Sequence, residues 1–231
     1  MQRTFDRELT ELKKTLLHMG ALVEQMIHRS TTAMVDRDAA IIEEVLDIEH
    51  EVNLQQIKID DLAIKLIATK QPMASDLRSL ITIARVNSEL ERIGDQSVNI
   101  CENVEKLLTE PPLKPLIDLP IMAQEANSMV RRSLDSFVNG DTALAREVIL
   151  NDDKVDALKD QIFRELLTYM MSDASTIRRS LSLILVSRNL ERIGDHATNI
   201  AEEVIYLVQG RDVRHPRDLR QEKKETNNSD A

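Results

Sequence analysis

The chain has 231 residues, of which 42% are hydrophobic and 2% aromatic, and a formal net charge of −10. That length suits one large domain or two of about 100 residues each, with enough apolar side chains to fill a core. The acidic balance excludes the overall basic footprint of a nucleic-acid binder. The scarcity of aromatics, and of glycine and proline, excludes a turn-rich β fold.

Leu, Ile, Ala, Glu, Arg and Met dominate, and all but Ile are strong helix formers. The opening residues, Met1-Gln2-Arg3-Thr4-Phe5-Asp6, lack the apolar core of a signal peptide. No apolar run is long enough for a membrane span. A cytoplasmic protein without membrane insertion is expected, and the single cysteine, Cys101, fits a reducing compartment.

In chain order, periodic segments near 3–35, 38–69 and 74–108 predict three helices, with Gln71-Pro72 breaking the second from the third. Four of the six prolines then fall between Pro111 and Pro120. Proline lacks an amide donor and clashes with the preceding turn, so no helix is expected to run through this stretch. Three more helices are predicted near 120–138, 141–171 and 175–209. Gly140 and Asp141 supply a C-cap and an N-cap, Asp173-Ala174-Ser175-Thr176 opens the last helix, and Gly210 closes it. The expected organisation is a three-helix unit over 1–110, a linker over 111–119, a second three-helix unit over 120–210 and a disordered polar tail over 211–231.

The two units are copies. Leu90-Glu91-Arg92-Ile93-Gly94-Asp95 recurs unchanged as Leu190-Glu191-Arg192-Ile193-Gly194-Asp195, and eight of eleven positions agree from Leu90 to Ile100 at an offset of 100. Arg78 matches Arg178, and Asp38 matches Asp141 at an offset of 103. Such a repeat points to a repeated supersecondary unit. The fold class expected is therefore all-α, with two tandem homologous three-helix bundles.

Helical spacing separates two faces. Leu90, Ile93, Gly94, Ser97, Ile100, Cys101, Val104 and Leu107 form an apolar stripe, with a matching stripe from Leu190 to Val204. Glu91, Asp95, Asn99 and Glu102 lie on another face, repeated by Glu191, Asp195, Asn199 and Glu202. Carboxylates four apart on a helix repel, so a compensating cation is expected. Arg92, Arg192, Arg78, Arg178 or a metal ion could supply it. Carboxylate and amide oxygens suit hard divalent cations, and iron also accepts carboxylates. The bland alternative is a solvated acidic face. Histidine ligation is not expected, because no Glu-x-x-His occurs and His196 stands in one copy only. Cys101, matched by Ala201, is expected in the core.

In these residues the chain resembles the PhoU family. The resemblance rests on the duplicated acidic-x-x-x-Asp motif, at Glu91/Asp95 and Glu191/Asp195, and on the turn Gln71-Pro72-Met73-Ala74-Ser75-Asp76-Leu77-Arg78. A further family position matches Asp152 and Asp156 in the second copy and Glu49 and Asn53 in the first, where Asn replaces the final Asp. The resemblance implies a non-enzymatic negative regulator of phosphate uptake and phosphate-starvation signalling. It implies an adaptor between a phosphate ABC transporter and a membrane sensor histidine kinase, dimeric or larger, with metal held by the acidic motifs in some members. A carboxylate-based metal store or buffer is the alternative function. No Gly-rich phosphate loop and no catalytic signature accompany these motifs.

Overall fold

The computed structural model describes residues 4–211. Six α-helices follow in order: α1 (Thr4–Asp36), α2 (Ala40–Lys70), α3 (Ala74–Leu108), α4 (Asp118–Asn139), α5 (Thr142–Ser172) and α6 (Ile177–Gln209). No strand occurs among the described residues. The all-α, twice-three-helix expectation holds. The tail beyond Arg211, expected to be disordered, lies outside the described residues.

The helix ends have local causes. Asp141 caps α5 by accepting from the amides of Ala143 and Leu144 at 2.9 and 3.0 Å. Asp38, one residue before the α2 N-cap Ala39, accepts one bond, from the Ala40 amide at 2.9 Å. Gly140 and Gly210 end α4 and α6 in the left-handed region, at φ 62 and 67, where glycine meets no Cβ penalty. Asp173 holds a short 3-10 turn, Ala174–Thr176, ahead of α6. One boundary differs from expectation. Helix α4 begins at Asp118 and takes Pro120 into its first turn. The amides of a first turn have no intrahelical partner, so a proline there forfeits no hydrogen bond.

The connector between the units is strapped down. Arg37 donates through Nη2 to the carbonyls of Leu107, Leu108 and Glu110 at 3.0, 3.3 and 2.6 Å, satisfying the last turn of α3. Lys114 pairs with Glu165 of α5. Arg179 of α6 donates to the Pro111 carbonyl at 3.1 Å.

Each unit packs its own three helices together, and the units meet through α3 against α6 and α1 against α4. Helices α2 and α5 pack only within their own units and so lie outermost. The apolar stripes of α3 and α6 are buried as expected, including Gly94, Gly194 and Cys101. Burial pushes the Cys101 thiol up to about 12, so it stays protonated and inert. The buried side chains of both units join in one core. At the α1–α4 seam, Gly20 lies under Leu134: a Cβ there would stand 2.5 Å from a Leu134 methyl.

Candidate functional site: two carboxylate clusters and a polar seam

Each unit gathers its acidic residues where the middle helix faces the third. In the second unit Asp152 and Asp156 on α5 face Glu191 and Asp195 on α6. Residues four apart stack on one helical face, so both pairs converge. Gly194 permits the approach. A Cβ at that position would stand 3.3 Å from Asp152 Oδ1, so the bare backbone lets the carboxylate lie against α6.

The electrostatic strain falls on Asp152. Burial, then the charges of Asp195, Asp156, Asp153 and Glu191, push its carboxyl up to about 6. Asp195 is raised too, by burial and by Glu191 and Asp156. One cation enters the cluster. Lys159, one turn beyond Asp156, sends its ammonium to Asp156 Oδ1 at 2.9 Å and Glu191 Oε1 at 3.0 Å. Those bonds hold the Lys159 amine above its ordinary value despite its partial burial.

The first unit is built differently. Glu49 on α2 faces Glu91 and Asp95 on α3; burial first, then the charges of Asp95 and Glu49, raise Glu91, and burial, then Glu49, raise Asp95. Asn53 donates to Glu49 Oε1 at 2.5 Å. At the offset of 103 that relates α2 to α5, the position of Lys159 is occupied by Gln56. Gly94 meets Met26 and Val52, both apolar, where Gly194 meets a carboxylate.

Four arginines were open as counterions, and none is placed in the clusters as Lys159 is. Arg92 turns to Glu89 at 2.8 Å. Arg78 stacks over Tyr206 and donates to the Leu207 carbonyl at 3.4 Å. Arg178 lies 3.9 Å from Glu110. No bond from Arg192 to the acidic cluster is seen; the Lys159 ammonium fills that role. The spacing Asp156-x-x-Lys159 carried this signal, because residues three apart share a helical face.

Asn199 also goes elsewhere. Its amide donates to Glu89 Oε2 at 2.9 Å, beside His196 Nδ1 at 2.8 Å. His196, to which the sequence assigned no partner, is thus part of a mostly buried seam between α3 and α6. Burial works against ionisation of Glu89, but the bonds from His196 and Asn199 outweigh it and hold the carboxyl below its usual range. Arg85 extends the seam, meeting both oxygens of the buried Glu203 carboxylate at 3.0 Å. Asn99 of α3 contributes its carbonyl to Asn103 at 2.7 Å.

Among the described residues no three Asp, Glu, His or Cys side chains gather in a group that could hold a metal ion. In the second unit an ammonium already sits on two of the carboxylates.

A duplicated six-helix protein, its halves fused through one core and each carrying a carboxylate cluster, is the class that fold and site define. The model of the PhoU domain matches twice, over residues 16–104 and 119–204. The chain belongs to the PhoU family. It is 39% identical over 216 residues to a phosphate-specific transport system accessory protein PhoU homolog of Pseudomonas putida, covering 93% of this chain and 84% of the relative. Against the phosphate-specific transport system accessory protein PhoU of Escherichia coli K12 it is 35% identical, covering 91% and 88%. The crystal structure of PhoU from Pseudomonas aeruginosa superimposes with a TM-score of 0.87 at 38% identity, covering 90% of this chain and all of that one. No described helix is long and apolar enough to cross a membrane.

Proposed function

We propose that this protein is a negative regulator of phosphate uptake and phosphate-starvation signalling. It acts in the cytoplasm, as a homodimer, between a phosphate ABC transporter and a membrane sensor histidine kinase. The observation that carries this reading is the double domain match, joined to relatives named as accessory proteins of phosphate-specific transport. The architecture supports an adaptor. Helices α2 and α5 touch only their own units, and their outer faces expose Leu54, Ile57 and Ile64 on one and Phe163 and Leu167 on the other. Runs of exposed apolar side chains on otherwise charged helices favour protein contacts.

The test is alkaline phosphatase activity in phosphate-replete cells lacking the gene. The expected result is high activity that the wild-type gene returns to baseline. Low activity in the deletion strain would remove the protein from phosphate signalling. A metal-storage role would then be measured as metal ions bound per chain.

A further inference from the structure

The two units are near-copies in sequence, yet only the second places a lysine among its carboxylates. Lys159 reaches across from α5 to α6 and bonds a carboxylate on each. Its side chain is 29% exposed, and Glu191 is 22% exposed, so this pair is partly withdrawn from solvent. In the first unit the matched side chain is Gln56, which is uncharged.

We propose that Lys159 is a built-in countercation that takes the place of a metal ion in the second unit, so that the acidic motif there holds no metal in this chain. The chemistry is substitution of one cation for another. Four carboxylates at Asp152, Asp156, Glu191 and Asp195 would attract a hard divalent cation, which binds oxygen ligands and gains affinity with ligand charge. A tethered ammonium bonded to one oxygen of each of two of those ligands, Asp156 Oδ1 and Glu191 Oε1, places a positive charge among the four carboxylates, where the ion would sit. Like charges repel, so the ion must displace the lysine before it can bind. The tethered cation also differs from an ion in having no free concentration. The bridge between α5 and α6 is therefore present whatever the metal supply.

This inference stands apart from the phosphate-regulatory reading and survives or fails without it. The test uses the full chain carrying Glu91→Gln and Asp95→Asn, which removes the first unit's contribution. That protein and its Lys159→Gln and Lys159→Arg derivatives are equilibrated with Mn2+, freed of loose metal by gel filtration, and analysed for manganese by mass spectrometry. Lys159→Gln installs the side chain the first unit already uses, and circular dichroism at 222 nm reports its folding. Retained manganese near zero is expected with lysine or arginine at 159, and about one equivalent per chain with glutamine. Adding Asp152→Asn and Glu191→Gln should abolish that gain. A parent protein that retains manganese and loses it on Glu191→Gln would overturn the proposal, and that arm needs no change at Lys159. So would a folded Lys159→Gln protein that retains none.

Discussion

The two units carry one motif in two electrostatic settings. In the first, Glu49 is bonded by the Asn53 amide, and Glu91 and Asp95 repel each other with no lysine at the matched position. In the second, an additional carboxylate is present, Asp152 takes most of the strain, and Lys159 bridges the helices. Duplication therefore preserved the backbone frame and the apolar stripes while the charge balance diverged. The seam between the units diverged as well. Glu89, His196 and Glu203 make side-chain hydrogen bonds across α3 and α6, whereas their repeat mates are Asn189, Gln96 and Asn103. A shared core tolerates this asymmetry, because apolar packing depends on shape and volume and the seam's buried polar groups are hydrogen-bonded to one another.

The strongest way to break the comparison is through that core. Leu90 and Leu190 are matched and both buried. Alanine at either should cost about 2–5 kcal/mol. Since both side chains belong to one continuous core, each variant should melt in a single transition by calorimetry, at similar temperatures. Two separated transitions would show that the units fold independently.

The next effect sharpens the difference between the clusters. In the fold the Asp152 carboxyl is raised from 3.8 to about 6, so folding takes up a proton between those values. Stability is therefore lost as pH rises through about 6, and the penalty is absent below about pH 4. Asp152→Asn should raise stability by about 1 kcal/mol at pH 7.5, a figure discounted for the side chain's contact with solvent. The gain should fade as the pH is lowered to 4, as followed by urea denaturation. Asn53 already stands where the first unit would have its second α2 acid, so Asn53→Asp there should lower stability at pH 7.5.

The smallest effect compares the aspartates that precede α5 and α2. Asp141 accepts two amide bonds and Asp38 one. Asp141→Ala should cost about 1 kcal/mol and Asp38→Ala about half that, measured as midpoint shifts in urea.

Much of this molecule was legible before its coordinates. The apolar spacing from Leu90 to Leu107 and its repeat gave the buried faces, because a 3.6-residue period maps directly onto one side of a helix. Gly140, Asp141 and Gly210 marked helix ends through backbone demands that few other residues meet. What escaped depended on contacts between helices. The pairing of Lys159 with Asp156 is readable from their spacing, but its reach to Glu191 shows only once α6 lies beside α5. His196 had no visible partner because Glu89 lies 107 residues away. The Pro120 boundary was misplaced because a proline that breaks a helix interior is harmless in a first turn. Fusion of two bundles into one core was not expected either, since periodicity shows that a face is apolar but not what covers it.

Chain order gives the shared core a temporal side. The first unit is complete in sequence at Leu108, but the surfaces of α1 and α3 that meet α4 and α6 stay bare until residues near Gln209 have been made. At typical synthesis rates that interval is on the order of 5–20 s for about 100 residues. Within it, Gly20 and its neighbours at first lack the cover that Leu134 of α4 supplies. The nascent chain thus spends its longest unprotected period with half a protein already made, a window in which a ribosome-associated chaperone would find its best purchase.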